Sequence, residues 1–482
     1  MERQITDEKN AVKTLIEKLS SMRKIIDELH DTVCNQQRLI DSLRKEKREL
    51  KSRLAKYEKP GKDSGNSSTP PSKERMRDEV KRRTKTLRKP SGLKPGGQAG
   101  HAGTTLNKTF AVDKTVDEDP KFCTNCGSSL EDSERVLDYV TQVVSIPELR
   151  PVIREIRHYK RVCKHCGAVV RSRVDRSRGG NSVIYDDTVK SLAVYLSMVQ
   201  FLPYGRIEKF FKEVFGRKIS QGSIANWIAL AKKNAQPAIA AIMEEIKKSR
   251  VVGFDESGFY CNKKLDWAWI AQTVYFTILF RGDGRSAKEL EDRFGDSLER
   301  MVAVTDRHSA YFVINFLGHQ VCLAHLLRDL QYLDELDGKQ DWSRKVGELL
   351  RESIHERNQH PNEIIDKKPW LERLDTLLKQ FVDDLGDDFR RMRAGLRKCR
   401  DYLFNFLEDP LVPPDNNASE RGIRKLKIKM KNACTFRSEW GADAFLEIHS
   451  IVETAKKHGK SSYDVIRCLF HSTDEVAVAS AE

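Results

Sequence analysis

Asp255 and Glu256 end one β-branched run, RVVGFDESGFY, Asp306 ends another, RMVAVTDRHSAY, and Glu420 heads the stretch DNNASERGIRKLKIKMKN. Carboxylates are hard oxygen ligands. A trio delivered by two strand ends and one helix can hold two Mg²⁺ ions about 4 Å apart, activating an attacking oxygen and stabilising a leaving one. Arg421, Arg424, Lys425, Lys427, Lys429 and Lys431 follow Glu420 within eleven residues, and such a cationic face suits a polyanion that the acids alone would repel. Each feature also has an ordinary explanation: an Asp after a strand commonly caps a turn, and a run of bases is commonly a solvated helix face. The repeated pattern of apolar run then acid is what favours a shared site.

The elements that must position these acids are readable in outline. DWAWIAQTVYFTILF alternates apolar and aromatic residues as two further strands do, and PPDNNASE reads as a helix start that places Glu420 near a positive helix terminus. Upstream, a helix, the turn FGRKIS, and Ser220 or Ser223 opening a second helix through Trp227 resemble a helix-turn-helix, a pattern that core helices share. Two knuckles, CTNCG (Cys123, Cys126) and CKHCG (Cys163, Cys166), offer four thiolates to tetrahedral Zn²⁺, with a redox Cys pair as the alternative. The 36 residues between them include an alternating run, VLDYVTQVVSIPELRPVIREIRHYKRVC, that predicts a strand meander joining the knuckles.

From Val12 to Tyr57 apolar residues recur at alternating steps of three and four, interrupted only by Gln36 and Lys47. This predicts a coiled coil and a homo-oligomer. KPGKDSGNSSTPPSKE follows as a linker, and Lys73–Lys94, with ten basic residues including Arg82 and Arg83 against three acids, predicts a flexible arm for phosphates. A merely solubilising charge run has the same composition.

Charge is concentrated at this end of the 482-residue chain: the formal net charge is +15, and residues 1–110 carry 27 Lys and Arg against 15 Asp and Glu. A basic chain with a pI near 9.2 and no long apolar run points to nucleic acid rather than membrane. The charged start MERQITDEKN is unlike a secretory signal, so the ten cysteines read as thiols or metal ligands in a reducing cytoplasm, with the chain associated with the nucleoid.

KPGGQAGHAGTTL, both knuckles, GFDESG, TDRHSAY, CLAHLLRDL and DNNASERGIRKLKIKMKNACTFRSEWGA occur in this order along almost the whole chain, which resembles the transposases of insertion-sequence family sixty-six, a DDE type. The resemblance implies a multidomain α/β protein. Its parts would be a coiled coil (1–58), a basic flexible arm (59–110), a zinc-binding module (111–180), a helical DNA-binding region (181–245), a ribonuclease-H-like catalytic core (246–455) with a helical insertion at about 325–410, and a C-terminal tail (456–482). It implies Asp255, Asp306 and Glu420 as catalytic ligands of Mg²⁺ or Mn²⁺, and Cys322, His325 and Arg328 as accessories rather than a zinc site, since no second ligand pair is visible in the nearby sequence. It also implies that transposon ends are hydrolysed and the freed 3′-OH attacks target DNA, with Arg421, Arg424, Lys425 and Lys427 beside the strand and accessory proteins as further partners. Two positions depart from the family pattern: His308, where Tyr is common, and Leu327, where a second Arg is common. The competing readings are a DNA-binding regulator with an inactive nuclease-like core, and a coiled-coil scaffold whose arm binds RNA.

Overall fold

The computed structural model describes residues 2–58, 100, 108–171 and 183–471. Two units divide the chain: Thr86–Ser177 with Lys209–Lys218, and Met1–Lys85, Arg178–Glu208 and Ile219–Glu482. The described residues form a mixed α/β structure with thirteen α-helices. None of these helices is long and apolar enough to cross a membrane. The basic arm expected over 59–110, with Arg82 and Arg83, lies outside the described residues except for Gly100 and residues 108–110.

Helix α1 (Glu2–Glu58) bears the apolar seam. Leu19, Met22, Ile26, Leu29, Val33, Ile40, Leu43 and Leu50 remain 43–61% exposed along it, so this stretch of the seam is not buried within its own chain.

The smaller unit holds both knuckles, folded alike. In each, the Gly amide donates to the first Cys carbonyl at 2.9 Å, and the first Cys amide donates back across the turn, to Ser128 O at 2.9 Å or Ala168 O at 2.8 Å. Gly127 and Gly167 take φ of +75° and +69°, a left-handed conformation that favours glycine. β1 (Lys160–Val162) and β2 (Val169–Arg171) form an antiparallel hairpin around the second knuckle. The expected meander is not formed: residues 134–159 carry neither strand nor helix. Val136, Leu137, Val143, Val144, Val152 and Ile153 are 71–88% exposed, and an alternating run settles as a strand only where one face finds a surface to pack on.

The larger unit is organised by a five-stranded sheet in the order β5-β4-β3-β6-β7. β3 (Val251–Cys261), β4 (Lys264–Gln272) and β5 (Thr277–Gly282) form an antiparallel meander, while β6 (Val302–Thr305) and β7 (Gly318–Val321) run parallel to β3. β3 does not end at the acids as expected but runs on to Cys261. Its partner β4 continues beside it through Cys261↔Lys264, whereas pairing with β6 stops at Gly253↔Val304.

Three helices precede the sheet: α2 (Asp187–Met198), α3 (Tyr204–Phe215) and α4 (Gln221–Lys248). Ser220, rather than Ser223, caps α4, accepting the Ser223 amide at 3.0 Å. Trp227 is buried on α4, which runs for 28 residues as a core helix. α5 (Lys288–Phe294) links β5 to β6. The helical insertion is present as α6 (Leu323–Leu336), α7 (Trp342–Gln359), α8 (Lys368–Lys379), α9 (Asp387–Lys398) and α10 (Asn405–Glu408), packed around Leu326, Leu330, Trp342, Leu350, Phe389 and Phe404. α11 (Asn417–Ala433) returns to the sheet.

α12 (Glu439–Lys457) protects the β5 edge: Ser450 Oγ accepts the Leu279 amide at 2.8 Å and Thr454 Oγ1 accepts the Thr277 amide at 3.0 Å. Those i, i+4 hydroxyls satisfy backbone groups that would otherwise be open to another strand. The described part of the expected tail is folded, with α13 (Ser462–Cys468) packed on α2 and the Asn234 amide bonded to Leu469 O at 2.7 Å.

Candidate active site

Asp255 stands two residues beyond Gly253, the last β3 residue paired with β6, and Asp306 stands two residues beyond its partner Val304. Residues two apart leave a strand on the same side. The end of β6 therefore brings the two acids level on neighbouring chain segments. Asp306 Oδ1 accepts the His308 amide at 2.8 Å, which turns the chain away, and Asp255 Oδ1 accepts the Glu256 amide at 2.9 Å.

Glu420 arrives from α11, in its first turn, and the preceding residues hold that turn to β3. Asn416 is buried; its amide group donates to Phe254 O at 2.6 Å and its Oδ1 accepts from Ser419 Oγ at 2.6 Å. Two glycines admit the helix. A Cβ on Gly253 would lie 2.7 Å from Ser419 Oγ, and one on Gly422 would lie 2.4 Å from Ile270 Cδ1.

Cys322 and His325 come from the start of α6. The Cys322 amide donates to Thr305 O at 2.8 Å, and its buried Sγ accepts the Asn416 amide at 3.2 Å. One helical turn on, His325 Nε2 lies 3.5 Å from Glu420 Oε1, and Arg328 Nη2 lies 3.5 Å from the same oxygen. The expected accessories thus surround Glu420. Among the described residues, the group of three ligand-type side chains whose ligand atoms all lie within 4.8 Å of one another is Cys322, His325 and Glu420, not the three acids.

The three acids nevertheless share one field. Burial, then the charges of Glu256, Asp306 and Glu420, push the Asp255 carboxyl well above the usual carboxylate range. Burial and Asp306 raise Glu256, opposed by Tyr311 and Arg285. Burial lowers the His325 imidazole against the pull of Glu420, and burial raises the Cys322 thiol to about 11. Clustered carboxylates with no cation among them hold protons more tightly, and a divalent cation reverses this. Glu420 Oε1 is buried without a hydrogen-bond partner. That orphaned acceptor fits a cation ligand.

Adjacent strand residues leave the backbone on opposite sides, so the Asp-Glu pair divides its tasks. The Glu256 carboxylate has no exposed side-chain surface; it accepts from the Tyr311 hydroxyl and, at 2.6 Å, from Arg285 Nε. Arg285 lies over the Trp267 ring at 5.2 Å and, with Asp306, Arg307, His308, His325 and Lys398, lines a cleft of about 350 Å³. Nothing in the local sequence spacing marks Arg285; it is identified by the buried acid it holds.

On α11, Arg421 and Arg424 are exposed and Lys425 is half-buried. Lys427 is drawn to the sheet, donating to Gly258 O at 2.6 Å, so it is not an open cation like its neighbours. In the other unit, the thiols of Cys123 and Cys126 interact with each other, as do those of Cys163 and Cys166, and the Ser128 hydroxyl and amide lower Cys126 to about 7. Among the described residues the four thiols are not gathered into one ligand group.

The model of the family described as Transposase IS66 matches residues 182–444, and that of the family described as SlyX matches residues 8–71. No curated protein matches the chain.

Proposed function

The chain belongs to the IS66 transposase family, whose model spans more than half of it, and from that premise we propose that it binds the terminal repeats of an insertion sequence, cuts its ends and joins them to target DNA. The observation that carries this reading is geometric: the register of β3 on β6 sets Asp255 and Asp306 two residues beyond one strand pair, and Asn416 bonds the start of the helix that carries Glu420 to Phe254 O beside them. Asp255, Asp306 and Glu420 would hold Mg²⁺ or Mn²⁺, which when bound supplies charge stabilisation to the oxygens exchanged at phosphorus.

This chain's own residues supply the rest. Asn416 and the two glycines fix Glu420 against β3, and the Asp306 turn keeps its carboxylate at the end of β6. Arg421, Arg424 and Lys425 neutralise the strand's phosphates. In the first exchange a water oxygen bonds to phosphorus, the 3′ oxygen leaves as a hydroxyl, and the water proton passes to solvent. In the second, that 3′-OH bonds to a target phosphorus and displaces the target's own 3′ oxygen. No covalent bond to the protein is required.

The same reading extends to the other parts. The antiparallel meander followed by two parallel strands supports a ribonuclease-H-like core. The exposed seam of α1 supports a coiled-coil homo-oligomer, and the matched knuckle turns support structural Zn²⁺ on Cys123, Cys126, Cys163 and Cys166. Action on DNA, with accessory transposition proteins as further partners, places the chain in the cytoplasm with the nucleoid.

The test is cleavage of labelled element-end DNA with Mg²⁺ or Mn²⁺, comparing the native chain with Asp255→Ala, Asp306→Ala and Glu420→Ala, each checked for DNA binding. Metal-dependent 3′-OH ends that vanish in all three variants support the transposase. Binding without cleavage, accessory proteins included, would favour the DNA-binding regulator.

A further inference from the structure

We propose that Cys322, His325 and Glu420 form a second metal site, selective for Zn²⁺ and similar thiophilic cations, that shares its carboxylate with the acid trio. Cys-x-x-His alone is only half a tetrahedral set. The missing ligand stands 95 positions beyond His325 in the sequence, and α11 carries it to the start of α6. The ligand atoms of all three side chains lie within 4.8 Å of one another. Tetrahedral bonds of 2.0–2.3 Å separate ligand atoms by roughly 3.3–3.8 Å, so closing the set takes about 1 Å of side-chain adjustment.

Two buried atoms of this set lack hydrogen-bond partners, His325 Nδ1 and Glu420 Oε1. Buried polar atoms are ordinarily hydrogen-bonded, and here two without a hydrogen bond occur in one three-residue cluster, Glu420 Oε1 having only the 3.5 Å ion-pair contacts to His325 and Arg328. The framework is also fixed from outside. The backbone amide of Cys322 is tied to Thr305 O, and its Sγ to the amide of Asn416, so both helix starts are registered on the same strand ends. The donor set of one sulfur, one nitrogen and one oxygen, with a fourth position for water, matches Zn²⁺ and mismatches the all-oxygen octahedron of Mg²⁺. Arg328, 3.5 Å from Glu420 Oε1, opposes any cation there and limits the affinity without removing a ligand.

The consequence rests on the transposase reading: a Zn²⁺ ion held by Cys322 and His325 occupies Glu420, and the acid trio loses its third member. Zn²⁺ therefore antagonises Mg²⁺-dependent cleavage by competing for one carboxylate.

The test reads metal binding in the full-length chain, independently of cleavage. Co²⁺ is titrated into the native protein, Cys322→Ser and His325→Gln, with Zn²⁺ stoichiometry measured by equilibrium dialysis. The expected result is one bound Zn²⁺ fewer in each variant, and a thiolate-to-Co²⁺ absorption component present in the native protein and lost in Cys322→Ser. Ser at 322 retains an acceptor for the Asn416 amide, and unfolding is monitored by circular dichroism; His325→Gln gives a second reading that does not disturb the buried sulfur. Equal Zn²⁺ stoichiometry in all three proteins overturns the site, even where cleavage behaves as proposed. If the site is found but no DNA is cut under any condition, the site stands and the transposase reading fails.

Discussion

Replacing Gly253 with Ala tests whether close docking of α11 on β3 sets the position of Glu420. The new Cβ would lie 2.7 Å from Ser419 Oγ and 2.8 Å from Asn416 Oδ1. Gly253 is not among the residues with positive φ, so Ala can adopt its backbone and the effect is steric. Restoring an ordinary contact of 3.4 Å moves the start of α11 away by about 0.7 Å. The atoms displaced are those that bond Asn416 to Phe254 and Ser419. Overpacking costs about 1–3 kcal/mol, offset by about 0.4–1 kcal/mol from restricting the unfolded chain. The net is a loss of about 1 kcal/mol, or roughly 1–2 °C in Tm for a unit of this size. Cleavage should suffer far more, because an error of 1 Å in a reacting constellation costs about 100-fold; a fall of roughly 10- to 100-fold is expected with DNA binding retained. Adding Ser419→Ala, which removes the nearer clash, should recover part of the rate. Native cleavage by Gly253→Ala would refute the idea that this contact positions Glu420.

Without a divalent cation, the raised Asp255 carboxyl means that the folded state binds more protons than the unfolded chain from about pH 4 up to the raised folded value. Stability therefore falls as pH rises through that window. Asp255→Asn should raise Tm in Mg²⁺-free buffer near pH 7, change it little near pH 4, and abolish stabilisation by Mg²⁺; a Tm difference that ignores pH would refute this. Arg285→Ala leaves the buried Glu256 with Tyr311 alone and should cost about 2 kcal/mol. Arg285→Lys should recover only part, because an ammonium cannot reproduce the guanidinium fork; unchanged thermal unfolding of Arg285→Ala would count against the anchor. Ile26→Asp with Leu29→Asp places charges on the exposed seam of α1 and should reduce the mass in sedimentation to that of one chain, whereas an unchanged mass would locate oligomerisation elsewhere.

What could be read from the sequence was local. The strand before Asp306, the helix that starts with Glu420 in its first turn and the two strands of DWAWIAQTVYFTILF all follow from short-range patterning, and all are present. The errors are long-range. β3 continues past Asp255 because β4 pairs with it that far, while the alternating run between the knuckles forms no strand before Lys160; both runs look alike until a neighbouring strand is supplied. Asp-Glu reads as one acidic pair, but alternation along a strand sends one side chain toward the trio and the other to Arg285 and Tyr311.

The proposed site at Cys322 and His325 turns on the same distinction between local and long-range neighbours. No further ligand pair stands near them in sequence, which argues against a ribbon or a finger, whose ligands arrive in pairs on short loops. In this sheet the ligand comes instead from the helix that returns after the whole insertion, since Asn416 bonds to Phe254 O and to Cys322 Sγ at once. One buried asparagine thus registers α11 against β3 by its side chain and against the start of α6 by its backbone amide, and the carboxylate four residues on falls between two kinds of partner: oxygens on the strands, sulfur and nitrogen on the helix. Asn416→Ala removes the side-chain bonds to Phe254 O and Ser419 Oγ but keeps the backbone bond to Cys322 Sγ, so it should weaken Mg²⁺-dependent cleavage while Zn²⁺ binding at Cys322 and His325 is retained. Loss of Zn²⁺ binding as well would show that the side-chain bond to β3 also holds Glu420 beside Cys322 and His325.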